Sequence, residues 1–321
     1  MQIWLQTEKQ PLGVNRMKII FSRKGFDAEN GGVASPIFPD GGLRSLPIPS
    51  LWDQKHPQPP RYKVTYHDLS NETEDLGSVV EELSFNHRKR KPRIKRTDFC
   101  HLDPDLIRGD LDRKAGWVPM FGQSGKACAH LLNHGVRESD LFLFFRWFHR
   151  LQEANGHFKF DPEGQDAHVI FGWLQVGEVW CRFNADSVLP KWARGHSHVR
   201  GDTDGFCNLT KPVDAVFVAR RRLELPGLRT RLPGGGVFRE YHKKLQLTEP
   251  GGTRRNWRLP AWMYPFPDKR PLSHHKDKKR WGRDGRWATL RTVDIGQEFV
   301  LDTDYYPKAS EWLAELFRAA A

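Results

Sequence analysis

Cysteine is scarce in this 321-residue chain, which has four cysteines and no C-x-x-C pair. Zinc ribbons and disulfide frameworks need closely or regularly spaced cysteines, so the sequence argues against both and favours a reducing, cytoplasmic setting. Long apolar runs are also missing, because charged residues interrupt the two most apolar stretches, 141–148 and 169–180. Neither approaches the roughly 20 apolar residues of a membrane span, so we expect no contact with a membrane.

Acidic residues are the minority charge, with 39 Asp and Glu against 51 Lys and Arg and a net charge of +12. This balance favours an anionic partner, and nucleic acid is the leading candidate. With 20 Phe and 12 Trp, the chain can bury a substantial core. We expect a single domain over residues 17–321, or two packed lobes. A strand-like run opens at Met17, which favours residues 1–16 as a non-native or mis-assigned extension.

Strand-like patterns outnumber helical ones along the chain. They predict strands at 17–22, 141–148, 169–180 and 214–218, and helices at 71–83, 128–134 and 309–320. Gly and Pro predict a long loop at 31–60, a turn at 234–236 and irregular chain at 257–267. Since regular βαβ alternation is missing, the predicted fold class is α+β, with a mixed or largely antiparallel sheet, few helices and long irregular loops. The strands at 140–148 and 169–180 also resemble part of a PUA-like barrel.

Ordered polar motifs recur from one end of the chain to the other. The first group is SRKGFD at 22–27, NGG at 30–32, SPI at 35–37, DG at 40–41 and SLPIP at 45–49. The second is HLDPD at 101–105, FGQSG at 121–125 with HL at 130–131, GGGVF at 234–238 with LT at 247–248, and GQEFVLD at 296–302. Together they resemble the third nucleotide-modification-associated domain family. Ala34, before SPI, and Arg146, inside an aromatic strand, depart from the expected pattern.

The resemblance implies a biological setting and leaves the reaction open. Proteins like this are linked to DNA hypermodification systems of bacteria and phages, which makes other proteins of such a system candidate partners. We therefore expect a protein that acts on, or binds, a modified nucleotide or base in DNA. No cofactor follows from the sequence, and we assign no metal ligand.

Arg23, Lys24 and Asp27 follow the first predicted strand, where strand ends often present functional groups. Arg23 and Lys24 could hold a phosphate, with Asp27 orienting them or acting as a base. The alternative is a surface ion-pair cluster that positions the next loop.

Histidines and carboxylates lie close together in HLDPD and in HSH at 196–198. These groups could perform acid–base chemistry or bind a divalent metal, and the alternative is an Asx-type turn with a histidine-rich loop end. The predicted catalytic residues are Asp27, His101, Asp103 and His130. The predicted substrate- or phosphate-binding residues are Arg23, Lys24, Gln123, His196 and His198.

Two basic segments, 88–96 and 276–287, suit a nucleic-acid surface, because cations attract phosphates and an indole can stack on a base. Ordinary solvated charge and buried tryptophans are the alternative reading. The predicted nucleic-acid contacts are Arg88, Lys89, Arg90, Lys278, Lys279, Arg280 and Trp281.

Three functions remain open on these observations. The first is an enzyme, a transferase or hydrolase acting on a modified base or nucleotide. The second is a non-catalytic reader of modified bases, and the third is a scaffold within a modification complex. A Walker loop is excluded, because Met120 and Ala127 occupy positions that the motif reserves for Gly and for Ser or Thr.

Overall fold

The computed structural model describes residues 17–26, 31–50, 63–69, 75–85, 93–181, 189–199, 214–294 and 296–319. Within these ranges the chain forms fourteen strands and three α-helices, which confirms the α+β prediction. The strands are β1 (Lys18–Arg23), β2 (Ser35–Ile37), β3 (Ile48–Pro49), β4 (Cys100–His101), β5 (Met120–Ser124), β6 (Leu141–Ala154), β7 (His157–Phe160), β8 (Ala167–Cys181), β9 (Asp214–Ala219), β10 (Gly235–Val237), β11 (Asn256–Pro260), β12 (Trp281–Asp284), β13 (Trp287–Arg291) and β14 (Glu298–Asp302). The helices are α1 (Leu76–Phe85), α2 (Gly125–Asn133) and α3 (Ala309–Arg318).

Nine strands form the largest sheet, whose main path runs β14-β1-β6-β8-β9-β5. β2 and β7 pair with β6, and β10 pairs with β8. The neighbours are antiparallel except for β1 and β2, which both run parallel to β6, so the mixed, largely antiparallel sheet is confirmed. The described strands do not close into a barrel, because β5 and β14 end the path without pairing. The PUA-like portion stays a prediction.

β6 and β8 form the centre of this sheet and are longer than the sequence predicted, at 14 and 15 residues. Their apolar halves are buried on both faces, which is why their hydrophobic runs are nearly continuous. The pairing register shifts between Phe144 and Phe145, and again on β8 between Val176 and Glu178. These bulges bend the long strands where glycines interrupt the β8 sequence.

Aromatic side chains cover both faces of the large sheet. On one face, the rings of Phe121 and Phe144 lie 5.3 Å apart between centroids. On the other face, Phe145 meets Trp257 of β11 edge-on at 5.0 Å. Because Phe144 and Phe145 are neighbours in one strand, their side chains point to opposite faces. This alternation decides which groups can meet at the ends of the strands.

Two sequence predictions about local structure are wrong. Residues 257–267, predicted to be irregular, include most of β11, which joins β13 and β12 in a three-stranded sheet and buries Trp257 completely. The glycines at 234–236 do not form a turn, because Gly235 and Gly236 belong to β10 and pair with β8. Their small size serves packing: a Cβ on Gly236 would lie 2.9 Å from the Trp173 ring.

The helices are short and lie near the predicted positions. α2 is followed by Gly135, whose φ of +60° is the left-handed conformation expected of a glycine after a helix. α3 buries Leu313 and Phe317 against the main core. None of the described helices combines the length and apolarity that crossing a bilayer would require.

Candidate functional site

The segment from His101 to Asp105 runs along the outer edge of β5. Asp105 exchanges two backbone hydrogen bonds with Met120, of 2.9 and 3.0 Å. Two residues earlier in the chain, the Asp103 side chain reaches the same strand, and its Oδ1 accepts a 2.8 Å hydrogen bond from the Gly122 amide. The edge strand thereby fixes the position of the Asp103 carboxylate.

His196 and His198 approach the same carboxylate from a distant part of the chain. His196 Nε2 lies 3.4 Å from Asp103 Oδ1, and His198 Nε2 lies 3.8 Å from Oδ2. The His101 ring completes the group, with its centroid 5.3 Å from that of His198. The two histidine-containing segments singled out in the sequence therefore meet around one carboxylate.

Charge and burial shift the pKa values of two members of this group, Asp103 and His198. Burial alone would raise the pKa of Asp103, but the His196 ring 3.4 Å away and the charges of His198 and His101 outweigh it and bring the pKa below its usual value. Burial lowers the pKa of His198 to about 4, against the opposing effect of Asp103. At neutral pH the group therefore presents an ionised carboxylate beside an unprotonated imidazole.

A second buried polar group lies between β5 and β14, the two edge strands of the large sheet. The Lys24 ammonium donates to Glu298 Oε1 at 2.8 Å and lies 4.3 Å from the centroid of the Phe121 ring. Gln123 Nε2 donates to the same carboxylate oxygen at 2.6 Å. All three polar side chains are buried. The hydrogen bond from Gln123 to Glu298 connects the edge strand β5 with the edge strand β14.

The two groups adjoin each other at Lys24. Lys24 and Asp103 line one small cavity of about 30 Å³, and the lysine charge helps to lower the pKa of His198. Within the described part of the chain, Glu298 Oε2 is buried and has no hydrogen-bond partner. Together the two groups form one polar cluster. Its members are Lys24, His101, Asp103, Gln123, His196, His198 and Glu298.

The family model of nucleotide modification associated domain 3 matches residues 18–302. The chain belongs to this family. The resemblance read from the sequence motifs is thus confirmed, and the association with nucleotide modification is shown at that level. No curated protein and no solved structure matches the chain. Every member of the polar cluster lies inside the nucleotide modification associated domain.

Arg23 and His130 are domain residues that lie outside the polar cluster. The Arg23 guanidinium donates to the carbonyls of Val293 and Asp294, at 3.2 and 3.3 Å. It lies on the Phe145 face of the sheet, whereas Lys24 lies on the Phe121 face, so the two cations do not form one phosphate site.

His130 belongs to another group of side chains. Its Nε2 is 3.0 Å from Ser273 Oγ, and its ring stacks on His274 with centroids 4.2 Å apart. Burial, together with His274 and His134, lowers the pKa of His130 to about 4. Helix α2 therefore directs His130 towards Ser273, while Gln123, one residue before the N-cap of that helix, joins the polar cluster.

The basic segment near residue 280 is only partly a surface. Lys278 and Lys279 are exposed, but the Trp281 indole is buried and donates to the His275 carbonyl at 2.8 Å. The interpretation of Trp281 as a base-stacking side chain is therefore wrong, because it fills the core beneath β12. The remaining aromatic candidate is Trp287, a half-buried side chain flanked by arginines.

Four predicted residues lie outside the described residues: Asp27, Arg88, Lys89 and Arg90. The extension at 1–16 lies outside them as well.

Sequence reasoning missed three members or neighbours of the site. Glu298 stands in the apolar strand EFVLD, and a carboxylate amid buried apolar residues was a usable signal. Gly122 belongs to the FGQSG motif, which by itself indicates no role for that glycine, and Asp214 carries no local signal. Asp214 Oδ1 lies 4.0 Å from His198 Nδ1, a relationship that only the folded chain creates.

Proposed function

We propose that this protein is an enzyme that modifies a nucleotide or a base in DNA, with the polar cluster as its reaction centre. One observation carries the proposal: seven polar side chains, from β4, β5, β14, the residue after β1 and two loops, converge, mostly buried, between the edge strands β5 and β14. Buried polar groups weaken a fold unless they are well paired, so such a concentration is typical of a functional site.

The chemistry of the cluster supports catalysis. The Asp103 carboxylate and the His198 imidazole are both unprotonated at neutral pH, the state that a general base or a cation ligand requires. Lys24 and Gln123 supply donors beside them, and Glu298 Oε2 is a buried acceptor with no partner in the described chain. Such donors and acceptors could orient a nucleobase edge or an anionic leaving group.

A DNA substrate is favoured over a free nucleotide by the cations at 278–280, of which Lys278 and Lys279 are exposed. Arg258 and Arg286 lie 4.6 and 5.8 Å from the Trp287 ring centroid. We propose that this basic surface contacts the phosphate backbone. Because Trp257 of the same small sheet packs on the Phe145 face, the surface and the polar cluster lie on opposite faces of the large sheet.

The test is mass spectrometry of digested DNA nucleosides from cells that carry the intact modification locus. Three strains are compared with wild type: a deletion of the gene, Asp103→Asn, and the control His157→Gln, which alters an exposed histidine. We expect the deletion and Asp103→Asn to lose one modified nucleoside and accumulate its precursor, while His157→Gln stays normal. An unchanged profile in the deletion strain would remove the enzyme proposal in favour of a reader or a scaffold.

A further inference from the structure

Two histidines and one aspartate of the polar cluster lie within a few ångströms of one another. Each of His101, Asp103 and His198 offers a ligand atom within 4.8 Å of the other two. In the described chain this is the one group of three such residues with that spacing. We infer that His101, Asp103 and His198 bind one divalent transition-metal ion.

The fold directs the three ligands to one point. Because Gly122 N–H holds Asp103 Oδ1, the second oxygen, Oδ2, remains for a cation and is the one nearest His198 Nε2. His101 is held in β4 by its pairing with Ile48 of β3. All three side chains are half-buried or buried, so the site is partly shielded from water without being sealed.

A second layer of polar groups surrounds the ligands. Asp214 Oδ1 lies 4.0 Å from His198 Nδ1, on the side of the ring away from Asp103. A carboxylate in that position is a common partner of a metal-binding histidine, because it fixes the ring and raises the basicity of the other nitrogen. His196 accepts from the His198 amide at 3.2 Å and faces Asp103 Oδ1, so it supports both ligands from one side.

The ligand types indicate which ions fit. Two imidazoles and one carboxylate favour Zn²⁺, Fe²⁺, Co²⁺, Ni²⁺ or Mn²⁺, whereas Mg²⁺ and Ca²⁺ favour sites made of oxygen. Three protein ligands leave coordination positions for water or substrate, as in catalytic metal sites. Binding of the ion is independent of the proposed function, but its role, to bind or polarise an oxygen of the nucleotide, rests on it.

Co²⁺ titration of the chelator-treated full chain tests the inference, with visible d–d absorption as the readout. We expect saturable uptake of one equivalent by wild type and by His157→Gln, and at least about 10-fold weaker uptake by Asp103→Asn and His198→Gln. Mg²⁺ in excess should not displace Co²⁺. The inference would be overturned if wild type showed no saturable absorption, or if Asp103→Asn and His198→Gln took up Co²⁺ as tightly as wild type.

Two further measurements keep the outcome decisive. Circular dichroism establishes that each variant is folded, and His101→Gln replaces any variant that is not. Co²⁺ should also raise the melting temperature of wild type, and no rise at saturating Co²⁺ counts against a site. If Asp103→Asn abolishes DNA modification while wild type takes up no metal, the metal site fails and the proposed function stands. If wild type binds Co²⁺ but the deletion strain keeps an unchanged nucleoside profile, the metal site stands and the proposed function fails.

Discussion

The His198 ring lies directly against Gly122: a Cβ on that glycine would be 2.2 Å from His198 Cγ. The edge strand β5 therefore carries glycine at the one point where it both donates its amide to Asp103 and gives room to the imidazole. The site depends on this absence of a side chain as much as on the ligands themselves.

Gly122→Ala should displace His198 from the polar cluster. The added methyl group cannot be accommodated without movement of the ring or the strand, and we expect a loss of about 1–3 kcal/mol in the free energy of unfolding. Urea denaturation measures this loss, and Co²⁺ absorption measures the site. Gly109→Ala is the matched control, since a Cβ there meets nothing within 4 Å. Equal stability and equal Co²⁺ uptake in the two variants would contradict the packing argument.

Lys24→Met should destabilise the fold by about 3 kcal/mol, because it leaves the Glu298 carboxylate buried with only Gln123 donating to it. Glu298→Gln should also destabilise it, since the Lys24 ammonium loses its partner. In the double variant neither charge remains, so its loss should be smaller than the sum of the single losses by about 1–3 kcal/mol. Additive losses in urea denaturation would show that the two side chains do not interact.

Arg146→Lys should cost at least about 2 kcal/mol in stability. Arg146 is buried in β6 and donates to the Ser45 hydroxyl and the Leu46 carbonyl, which anchors the loop that carries SLPIP. A lysine cannot reproduce the planar set of donors. Arg150→Lys changes an exposed arginine of the same strand and should be within about 0.5 kcal/mol of wild type in urea denaturation. A matching small effect at position 146 would refute the anchoring role.

Acid should destabilise the protein through His275. Its Nε2 accepts from the Val293 amide at 3.2 Å and its Nδ1 donates to the Ser273 carbonyl, so the ring is neutral in the fold. Burial, and then the charges of His274, Arg280 and Arg23, lower its pKa to about 4, against the raising effect of the Ser273 hydrogen bond.

The sign of the effect follows from the two protonation states. The unfolded chain takes up a proton as the pH falls through about 6.5, whereas the folded chain does so only near 4. Stability is therefore full above about pH 6.5 and declines below it, by up to about 3 kcal/mol for His275. Urea denaturation from pH 7 to pH 4.5 measures the decline, and ring resonances that titrate near 6.5 would exclude His275 as a source.

Replacing Lys278, Lys279 and Arg280 with alanine should weaken binding to duplex DNA. If all three contact phosphates, the slope of log K against log salt should become shallower by up to about 3. The matched control replaces Arg239, Lys243 and Lys244, three exposed cations elsewhere on the surface. Fluorescence anisotropy at several salt concentrations gives both slopes. Indistinguishable slopes for the two triple variants would mean that the loss reflects net charge alone.

The sequence itself determined the central strands β1, β6, β8 and β9 and the approximate positions of the three helices. The alternation and apolarity of residues 141–148 and 169–180 require a buried sheet, because backbone polar groups inside a core must pair with neighbouring strands. The glycine at 135 ends α2 because it alone reaches the left-handed conformation without strain. The sequence motifs also identified the family, because a short motif can be recognised without knowledge of the fold.

Which polar residues meet was decided only by the tertiary structure. The neighbours Arg23 and Lys24 diverge because side chains alternate across a strand, so adjacency in sequence separates them. His101 and His198 converge at β5. The Gly122 amide of that edge strand holds the segment that contains His101 and Asp103, and the lack of a side chain on Gly122 leaves room for the His198 ring. Such encounters depend on long-range pairing and on the space left between elements, neither of which is written in any local stretch of the chain.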